Sequence, residues 1–359
     1  FKLFTFIIII SPISFPWVRF ITADTISISF LFLYFSFFLI SLKKEKIQIL
    51  PLSILLGIGS HIRFDFIILG ITLLIFFNIY EKKKQFFIDG LKMLVIGLII
   101  WSPWTYRNIE KGVAIFPTHQ QQQATHNSSE YYPKYFYKWI STWMTHEYER
   151  VGTIYHLSNK NFSKIKFDYN VAFSNEDEKK KIIELLEELS KFDNKNFPRH
   201  IDEKIKIITD EKISSDKINY YFFVPLKRVF HLLFNYKNSF GWPFEISKNL
   251  NEDMKKNNYN LSIKHMVEIT LQNFVPILGK LVISIYRFSI LIIFFWIILR
   301  KSNDKLIENI AVAILLYFIA KSCFHSFYNV AETRYTWPIF VLMEIVVFIK
   351  LLRLKIKIL

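Results

Sequence analysis

Charged side chains stand at four positions that the sequence places at helix ends on one side of a membrane. They are Asp24, Arg63 with Asp65, Arg107 with Asn108, and Glu332 with Arg334. An ionisable group in a bilayer is costly unless it faces water, protein or a ligand, so several such groups at one depth predict a polar cavity near the membrane surface. A carboxylate there could take a proton from a hydroxyl, and arginines could bind a phosphate through paired hydrogen bonds.

Each of these charges also has a purely structural explanation. A single arginine at a helix end commonly extends its charge to the lipid headgroups. An acid such as Asp24 near a helix N-terminus is favoured by the helix dipole alone. Glu332 and Arg334 could simply pair with each other. Whether these charges bind a ligand or only stabilise the fold must therefore be argued from the rest of the chain.

Composition indicates a membrane protein. The chain of 359 residues is 52% hydrophobic and 18% aromatic, with a mean hydropathy of +0.25. This is too apolar for an ordinary water-soluble domain of that size. The net charge of +16 is not arranged as a basic stripe interleaved with stacking aromatics, so nucleic-acid binding is not expected. The single cysteine excludes an intrachain disulfide, and the nine histidines are too scattered to indicate a zinc site.

The order of apolar and basic segments predicts a membrane topology. Apolar segments that cross or nearly cross a bilayer lie at 22–42, 66–80, 86–104, 275–299, 306–324 and 337–353, with a shorter one at 47–60. Basic clusters lie at 43–46, 82–84, 300–305 and 350–357. By the positive-inside rule the side with these clusters is the cytoplasm. The outer side then receives 11–24, the turn HIRFD at 61–65, a long segment at about 105–270, and AETRY at 331–335.

The predicted fold class is an all-α polytopic membrane protein with a mostly helical extracytoplasmic domain. The chain divides into transmembrane helices at 1–104, an extracytoplasmic domain at 105–272 and C-terminal transmembrane helices at 273–359. The first apolar run is about half a spanning helix, so we expect further helices upstream of Phe1. In the outer domain, 174–192 has the spacing of an amphipathic helix with Ser174 as its N-cap, and 220–237 mixes aromatic with basic residues as at a membrane interface.

Four segments in chain order carry a family resemblance. They are ITADTISISFLFLYFSFFLIS (21–41), LLGIGSHIRFDFIILGITLLIFF (55–77), IIWSPWTYRNIEKGVAIFPT (99–118) and AETRYTWPIFVLMEIVVF (331–348). Together they resemble the C-type fold of integral-membrane glycosyltransferases, the superfamily of protein O-mannosyltransferases and lipid A aminoarabinose transferases. The more specific matches are PWTYRN at 103–108, followed by Gly112, and ETRYTWP at 332–338. Residues 119–270 lie outside the resemblance.

The resemblance implies a polyprenyl-phosphate-linked sugar as donor, attacked at C1 by an acceptor while the lipid phosphate leaves. Asp24 matches the second acidic position of the family pattern, where it is the catalytic candidate that would orient the acceptor or help to hold a divalent cation. The first acid of the pattern, the expected general base, would lie in an outer loop upstream of Phe1. The chain is therefore expected to be inactive alone.

The same resemblance implies the remaining site residues. Arg63, Arg107 and Arg334 would bind the lipid phosphate or the sugar, and Glu332 would position Arg334 or a sugar hydroxyl. Tyr335 is expected beside this ligand and, with the nearby Trp337, in the aromatic belt at the membrane surface. In the membrane helices, Arg287 and Glu344 are expected to form a buried pair.

The sequence favours a bacterial inner-membrane glycosyltransferase whose acceptor is a glycan, lipid or protein of the cell envelope. An O-antigen or polysaccharide polymerase is the alternative enzyme, although its essential arginines would be expected inside the large outer loop. A lipid or polysaccharide transporter is the non-enzymatic alternative. Transporters commonly have two related halves with ionisable groups near the midplane, and no such repeat is visible here.

Overall fold

The computed structural model describes residues 23–63, 65–79, 84–110, 133–145, 153–234 except 154, 158, 166 and 168–171, 263–300, 304–328 and 335–358. These residues form helices and turns, and none of them forms a strand.

The first group of helices is apolar. It comprises α1 (Ala23–Lys43), α2 (Ile49–Ile62), α3 (Phe66–Ile79) and α4 (Lys84–Glu110). A more polar group follows: α5 (Lys134–Ser141), α6 (Glu176–Ser190), α7 (Arg199–Ser215), α8 (Val224–Leu233) and α9 (Ile263–Gln272). A 3₁₀ turn at Phe162–Lys164 precedes α6, and a π-helical turn at Asn219–Phe223 leads into α8. The last apolar group is α10 (Phe274–Leu299), α11 (Lys305–Tyr328) and α12 (Trp337–Ile358).

Four of the described helices are long and apolar enough to cross a membrane: α1, α4, α10 and α11. This confirms the coarse prediction of a helical membrane protein. The predicted segments at 47–60 and 66–80 form α2 and α3, which have 14 residues each. At 1.5 Å per residue each is about 21 Å long, which is shorter than the roughly 30 Å hydrocarbon core.

The chain forms two compact units. The first, here called the membrane unit, contains the described residues within 1–100, 233–321 and 333–359. The second unit contains those within 101–232 and 322–332. The boundary at 100/101 lies inside α4, and the boundary at 321/322 lies inside α11, so both helices contribute to each unit.

Small residues allow close helix packing in the membrane unit. A Cβ atom on Gly57 of α2 would lie 2.6 Å from the Ile100 side chain of α4, and one on Gly97 would lie 2.8 Å from Leu56. The hydroxyl of Ser53 adds a hydrogen bond of 3.0 Å to the Met93 carbonyl of α4. Close backbone approach and interhelical hydrogen bonds are the main sources of helix association where apolar burial gives no advantage over lipid.

The first half of α12 is the most enclosed part of the membrane unit. Every described residue from Tyr335 to Val347 is buried. A helix that is apolar on all sides belongs in the interior of a bundle, because no face remains for water. The helix that begins at Trp337, near the end of the ETRYTWP segment, is therefore central to the unit.

The second unit has its own core, formed by α5, α6, α7 and the segment between α5 and α6. Phe136 and Trp139 of α5 pack against Phe167, with ring centroids 6.3 and 5.1 Å away. The carboxylate of Asp202, fully buried on α7, accepts hydrogen bonds from the backbone N–H groups of Tyr135 and Phe136 at 3.3 and 2.8 Å. Asp202 thus satisfies donors that the first turn of α5 cannot bond internally.

The amphipathic helix predicted at 174–192 is confirmed as α6, but its predicted N-cap is wrong. The cap is Asn175, whose Oδ1 accepts a hydrogen bond from the N–H of Glu178 at 2.8 Å. Ser174 instead donates its backbone N–H to Glu178 Oε2 at 2.8 Å. Serine and asparagine are both good caps, so composition alone did not distinguish these neighbours.

Candidate functional site

The turn between α2 and α3 places two of the predicted charges. Arg63 follows the last residue of α2 in an extended conformation, and its N–H donates to the Gly59 carbonyl at 2.8 Å. The Phe66 N–H then donates to the Arg63 carbonyl at 3.0 Å as α3 begins. Gly59 makes the tight reversal possible, because a Cβ there would lie only 2.5 Å from the Phe66 ring. The spacing of HIRFD therefore gives a short turn with Arg63 and Asp65 on the same side.

Arg63, Asp65 and Lys321 form a buried ionic group, here called the cationic cluster. Asp65 Oδ1 lies 3.3 Å from Arg63 Nε, and Asp65 Oδ2 lies 3.3 Å from Arg63 Nη2, so the carboxylate binds the guanidinium at two points. Lys321 Nζ on α11 lies 2.8 Å from the same Oδ2. Side-chain exposure is 13% for Arg63, 4% for Asp65 and 2% for Lys321. Two basic side chains thus converge on one carboxylate inside the membrane unit.

Two tyrosine rings enclose the cationic cluster. The Cζ atom of Arg63 lies 5.2 Å from the centroid of the Tyr335 ring, and Lys321 Nζ lies 5.6 Å from that of Tyr317. Cations at these distances from aromatic rings are attracted to the negative face of the π system. The expected contact of Tyr335 with a lipid-phosphate or sugar ligand stays a prediction. Tyr335 and Trp337 were predicted in the aromatic belt at the membrane surface, whereas the structure buries both rings inside the protein.

Lys321 belongs to the cationic cluster and was not predicted from the sequence. Its segment was assigned as a membrane helix, and a lysine three residues from the end of that segment was given no role. The available signal was a charged residue at the end of the long apolar run LIENIAVAILLYFIA. Intramembrane lysines are rare and usually face protein or a polar cavity, so this position could have been selected on chemistry alone.

The other predicted site residues are not brought together by the described structure. Asp24 belongs to the first described turn of α1, but its side chain lies outside the described residues, as do Glu332 and Arg334. Arg107 is exposed on the last turn of α4 and belongs to the second unit, whereas Arg63 belongs to the membrane unit. A common site for the three arginines therefore stays a prediction.

Arg287 and Glu344 are both buried in the membrane unit, as predicted. The hydroxyl of Tyr286 donates a hydrogen bond to Glu344. Arg287 donates from Nη1 to the Leu233 carbonyl at 3.3 Å, and its Cζ lies 5.4 Å from the Phe340 ring centroid. Their mutual pairing stays a prediction, and the described contacts are those of a packed bundle interior.

A metal centre does not emerge from the described part of the chain. Among those residues no group of three or more His, Cys, Asp or Glu side chains is placed to hold a metal ion. The divalent cation implied by the resemblance would involve Asp24, whose side chain is outside the described structure.

Comparisons with protein-family models, with curated proteins and with solved structures find no match for this chain.

Proposed function

We propose that the chain is a membrane glycosyltransferase of C-type fold that uses a polyprenyl-phosphate-linked sugar and works on the outer face of a bacterial inner membrane. The cationic cluster is the observation that supports this proposal most directly. Its Arg63, from one segment of the family resemblance, lies against the ring of Tyr335, from another. The acceptor would be a glycan, lipid or protein of the cell envelope.

The proposed reaction needs positive charge where the lipid phosphate leaves. The acceptor oxygen forms a bond to C1 of the sugar as the bond from C1 to the phosphate oxygen breaks, and the electron pair of that bond stays on the phosphate. A carboxylate base takes the proton of the acceptor hydroxyl. A guanidinium and an ammonium side by side stabilise the charge that develops on the phosphate. We assign that role to Arg63 and Lys321, and a positioning role to Asp65, which binds both.

The lengths of α2 and α3 support a recessed position for the cationic cluster. With the basic clusters at 43–46 and 82–84 on the cytoplasmic side, two helices of about 21 Å leave their connecting turn roughly 9 Å short of the outer edge of the hydrocarbon core. Electrostatic attraction is stronger at such a depth than in bulk water. A phosphate carried on a lipid can reach this depth by lateral diffusion within the membrane, whereas a water-soluble nucleotide sugar would have to move from water into the membrane.

Binding of a polyprenyl phosphate tests the proposed role of the cluster without requiring turnover. The protein in detergent is titrated with a C55 polyprenyl phosphate, and bound lipid is counted by native mass spectrometry. Lys321→Met and Arg63→Gln should each weaken binding about tenfold, the value of one charged hydrogen bond. Lys305→Met, an exposed lysine on the same helix as Lys321, should leave binding unchanged. Equal binding by all four proteins would contradict the phosphate site.

Transfer itself is tested in the full-length chain with polyprenyl-phosphate hexoses and pentoses in vesicles, by following release of polyprenyl phosphate. Asp24→Asn should abolish release and keep lipid binding if Asp24 acts in the chemistry. Unchanged release would remove Asp24 from the mechanism. Movement of the intact lipid across the bilayer with no release would instead favour the transporter.

A further inference from the structure

The segment that leads into α8 presents large apolar side chains to the outside of the protein. Six of them are about half exposed or more, over one stretch of 13 residues: Ile218, Tyr221, Phe222, Phe223, Leu226 and Phe230, at 48–68% of their full accessible area. We call this set the apolar face. Scattered exposed apolar residues are normal, but a contiguous group this large marks a surface that binds protein or lipid.

The opposite side of α8 is fixed, so the apolar face cannot turn inward. Arg228 is 4% exposed and donates hydrogen bonds to the carbonyls of Met144 at 2.8 and 3.0 Å, Ser141 at 2.6 Å and Ser326 at 2.8 Å. The Ser141 carbonyl is that of the last residue of α5, the Met144 carbonyl lies in the turn just after α5, and the Ser326 carbonyl lies in the last turn of α11. Val224 and Leu232 are buried on the same side as Arg228. The outward orientation of the apolar face is therefore set by the fold.

The C-terminal end of α8 reaches a membrane helix near its middle. The Leu233 carbonyl accepts the hydrogen bond from Arg287, and the Phe234 ring lies 6.2 Å from that of Phe288 in an edge-to-face arrangement. Arg287 and Phe288 are central residues of α10, one of the helices long and apolar enough to cross a membrane. Phe288 is 55% exposed, so it belongs to the side of α10 that would face lipid.

The length from this contact to Phe222 of the apolar face matches half a bilayer. Phe222 precedes Leu233 by 11 residues, which at 1.5 Å per residue is about 16 Å. Half of the hydrocarbon core is about 15 Å thick. A segment anchored near the middle of α10 therefore has the length to reach the membrane surface at Phe222, where tyrosines are favoured. Tyr220, Tyr221 and Lys217 stand at that end.

We infer that residues 218–234 form a half-membrane helical segment whose apolar face lies in the outer leaflet of the bilayer. Part of the segment predicted as extracytoplasmic is then embedded in lipid. Lys227 is exposed beside the apolar face, and its aliphatic stem is long enough to carry the ammonium toward the headgroups. The partner is the bilayer rather than a second protein, because α8 ends at Leu233 and the next residue, Phe234, packs on Phe288, a central residue of a helix long and apolar enough to cross a membrane.

Site-specific fluorescence tests the inference in the full chain. Cys323 is the single cysteine, so a Cys323→Ser background accepts one new cysteine at a time. Phe222→Cys, Phe230→Cys and, as the control on α6, Lys180→Cys are labelled with the polarity-sensitive dye NBD in phosphatidylglycerol and phosphatidylethanolamine vesicles. All three positions are exposed, so the substitutions should not impair folding.

The inference predicts emission at shorter wavelength for the dyes at 222 and 230 than at 180. It also predicts quenching by doxyl-labelled lipids that is roughly twofold stronger than at 180, as expected for a helix face immersed in lipid. A doxyl group deep in the acyl chain should quench the dye at 230 more than the dye at 222. A doxyl group near the headgroups should quench the dye at 222 more. Water-like emission at 222 and 230 would overturn the inference. Short-wavelength emission without lipid quenching would also overturn it, since protein would then cover the face.

Discussion

Lys321 Nζ lies 2.8 Å from Asp65 Oδ2, and both side chains are almost completely buried in the membrane unit. Asp65 also holds Arg63, so the loop after α2 is joined to α11 through one carboxylate. Buried ionic groups of this kind add little net stability compared with an apolar core, but loss of one partner is severe because the remaining charge is left in a medium that solvates it poorly.

Asp65→Asn is therefore expected to lower the free energy of unfolding by about 3–5 kcal/mol, because two buried cations lose their carboxylate. The measurement is denaturant unfolding of the full chain in detergent micelles. Asp89→Asn is the matched control, since Asp89 pairs with the exposed Lys92 on α4 at 3.1 Å and such pairs contribute at most about 1 kcal/mol. Adding Lys321→Met to Asp65→Asn should recover part of the loss. A loss no larger than that of Asp89→Asn would show that Asp65 does not hold the cluster.

Gly59→Ala tests whether the turn that positions Arg63 depends on close packing. The new Cβ would lie 2.5 Å from the Phe66 ring, so α2 and α3 must separate, and a loss of about 1–3 kcal/mol is expected. Gly90→Ala, where the nearest atom is 3.2 Å away, should cost less. Circular dichroism thermal scans in micelles would rank the two variants. The reverse order would mean that the turn can relax without cost.

The sequence predicted those features that depend on neighbours along the chain. Hydrophobic runs located the apolar helices to within a few residues, because a membrane helix needs a nearly continuous apolar segment. The helical spacing of apolar residues located α6, whose Ile182, Leu185 and Leu189 are buried. Arg63 and Asp65 could be grouped because only one residue separates them in the sequence.

Contacts between segments that are distant in the sequence could not be predicted from hydrophobic runs or residue spacing. Lys321 reaches Asp65 only because α11 packs beside the α2–α3 turn, and spacing in the sequence does not encode which helices become neighbours. For the same reason Tyr335 was placed at the surface, as a tyrosine at the end of an apolar run usually is, whereas it packs over Arg63.

Asp202→Ala should destabilise the second unit by about 1–2 kcal/mol, because two backbone N–H groups at the start of α5 lose their buried acceptor. Near-ultraviolet circular dichroism, which reports the packing of Trp139 and Trp143, would follow the transition. Glu203→Ala is the adjacent control, since Glu203 bonds only the exposed Arg199 among the contacts described. If both variants have the same free energy of unfolding as the unmodified chain, water replaces the Asp202 carboxylate at no cost.

Lys212→Met should be strongly destabilising in the same unit, by about 3–5 kcal/mol. Lys212 Nζ donates to Glu178 Oε1 at 2.7 Å and to the Ala172 carbonyl at 2.6 Å, and the two charged side chains are only 9% and 7% exposed. Burial lowers the pKa of Lys212, and the hydrogen bond to Glu178 opposes that shift. The variant leaves the Glu178 carboxylate with the Trp139 Nε1–H at 2.9 Å but with no cation at this contact.

A double variant separates the loss of the Lys212 pair from a simple packing defect. Adding Glu178→Gln to Lys212→Met removes the uncompensated charge and should recover stability in a double-mutant cycle. Lys181→Met removes an exposed lysine that pairs with Asp177 at 2.8 Å, and it should change the free energy of unfolding by no more than about 1 kcal/mol. A double variant as unstable as Lys212→Met alone would assign the loss to packing.

Acid lability of the second unit should depend on Ser163. Its hydroxyl and backbone N–H donate to Asp193 at 2.5 and 3.0 Å, and these hydrogen bonds lower the pKa of Asp193 below its ordinary value. Because the unfolded chain then binds the proton more readily, this contribution to stability is complete above the ordinary pKa of about 3.9 and is lost as pH falls through the folded-state value. Ser163→Ala should therefore reduce stability at about pH 7, and the difference from the unmodified chain should shrink toward about pH 2. Ser190→Ala, whose hydroxyl bonds the Glu187 carbonyl instead, should show a difference that does not change with pH. Parallel pH profiles for the two variants would show that Ser163 does not act through the ionised Asp193.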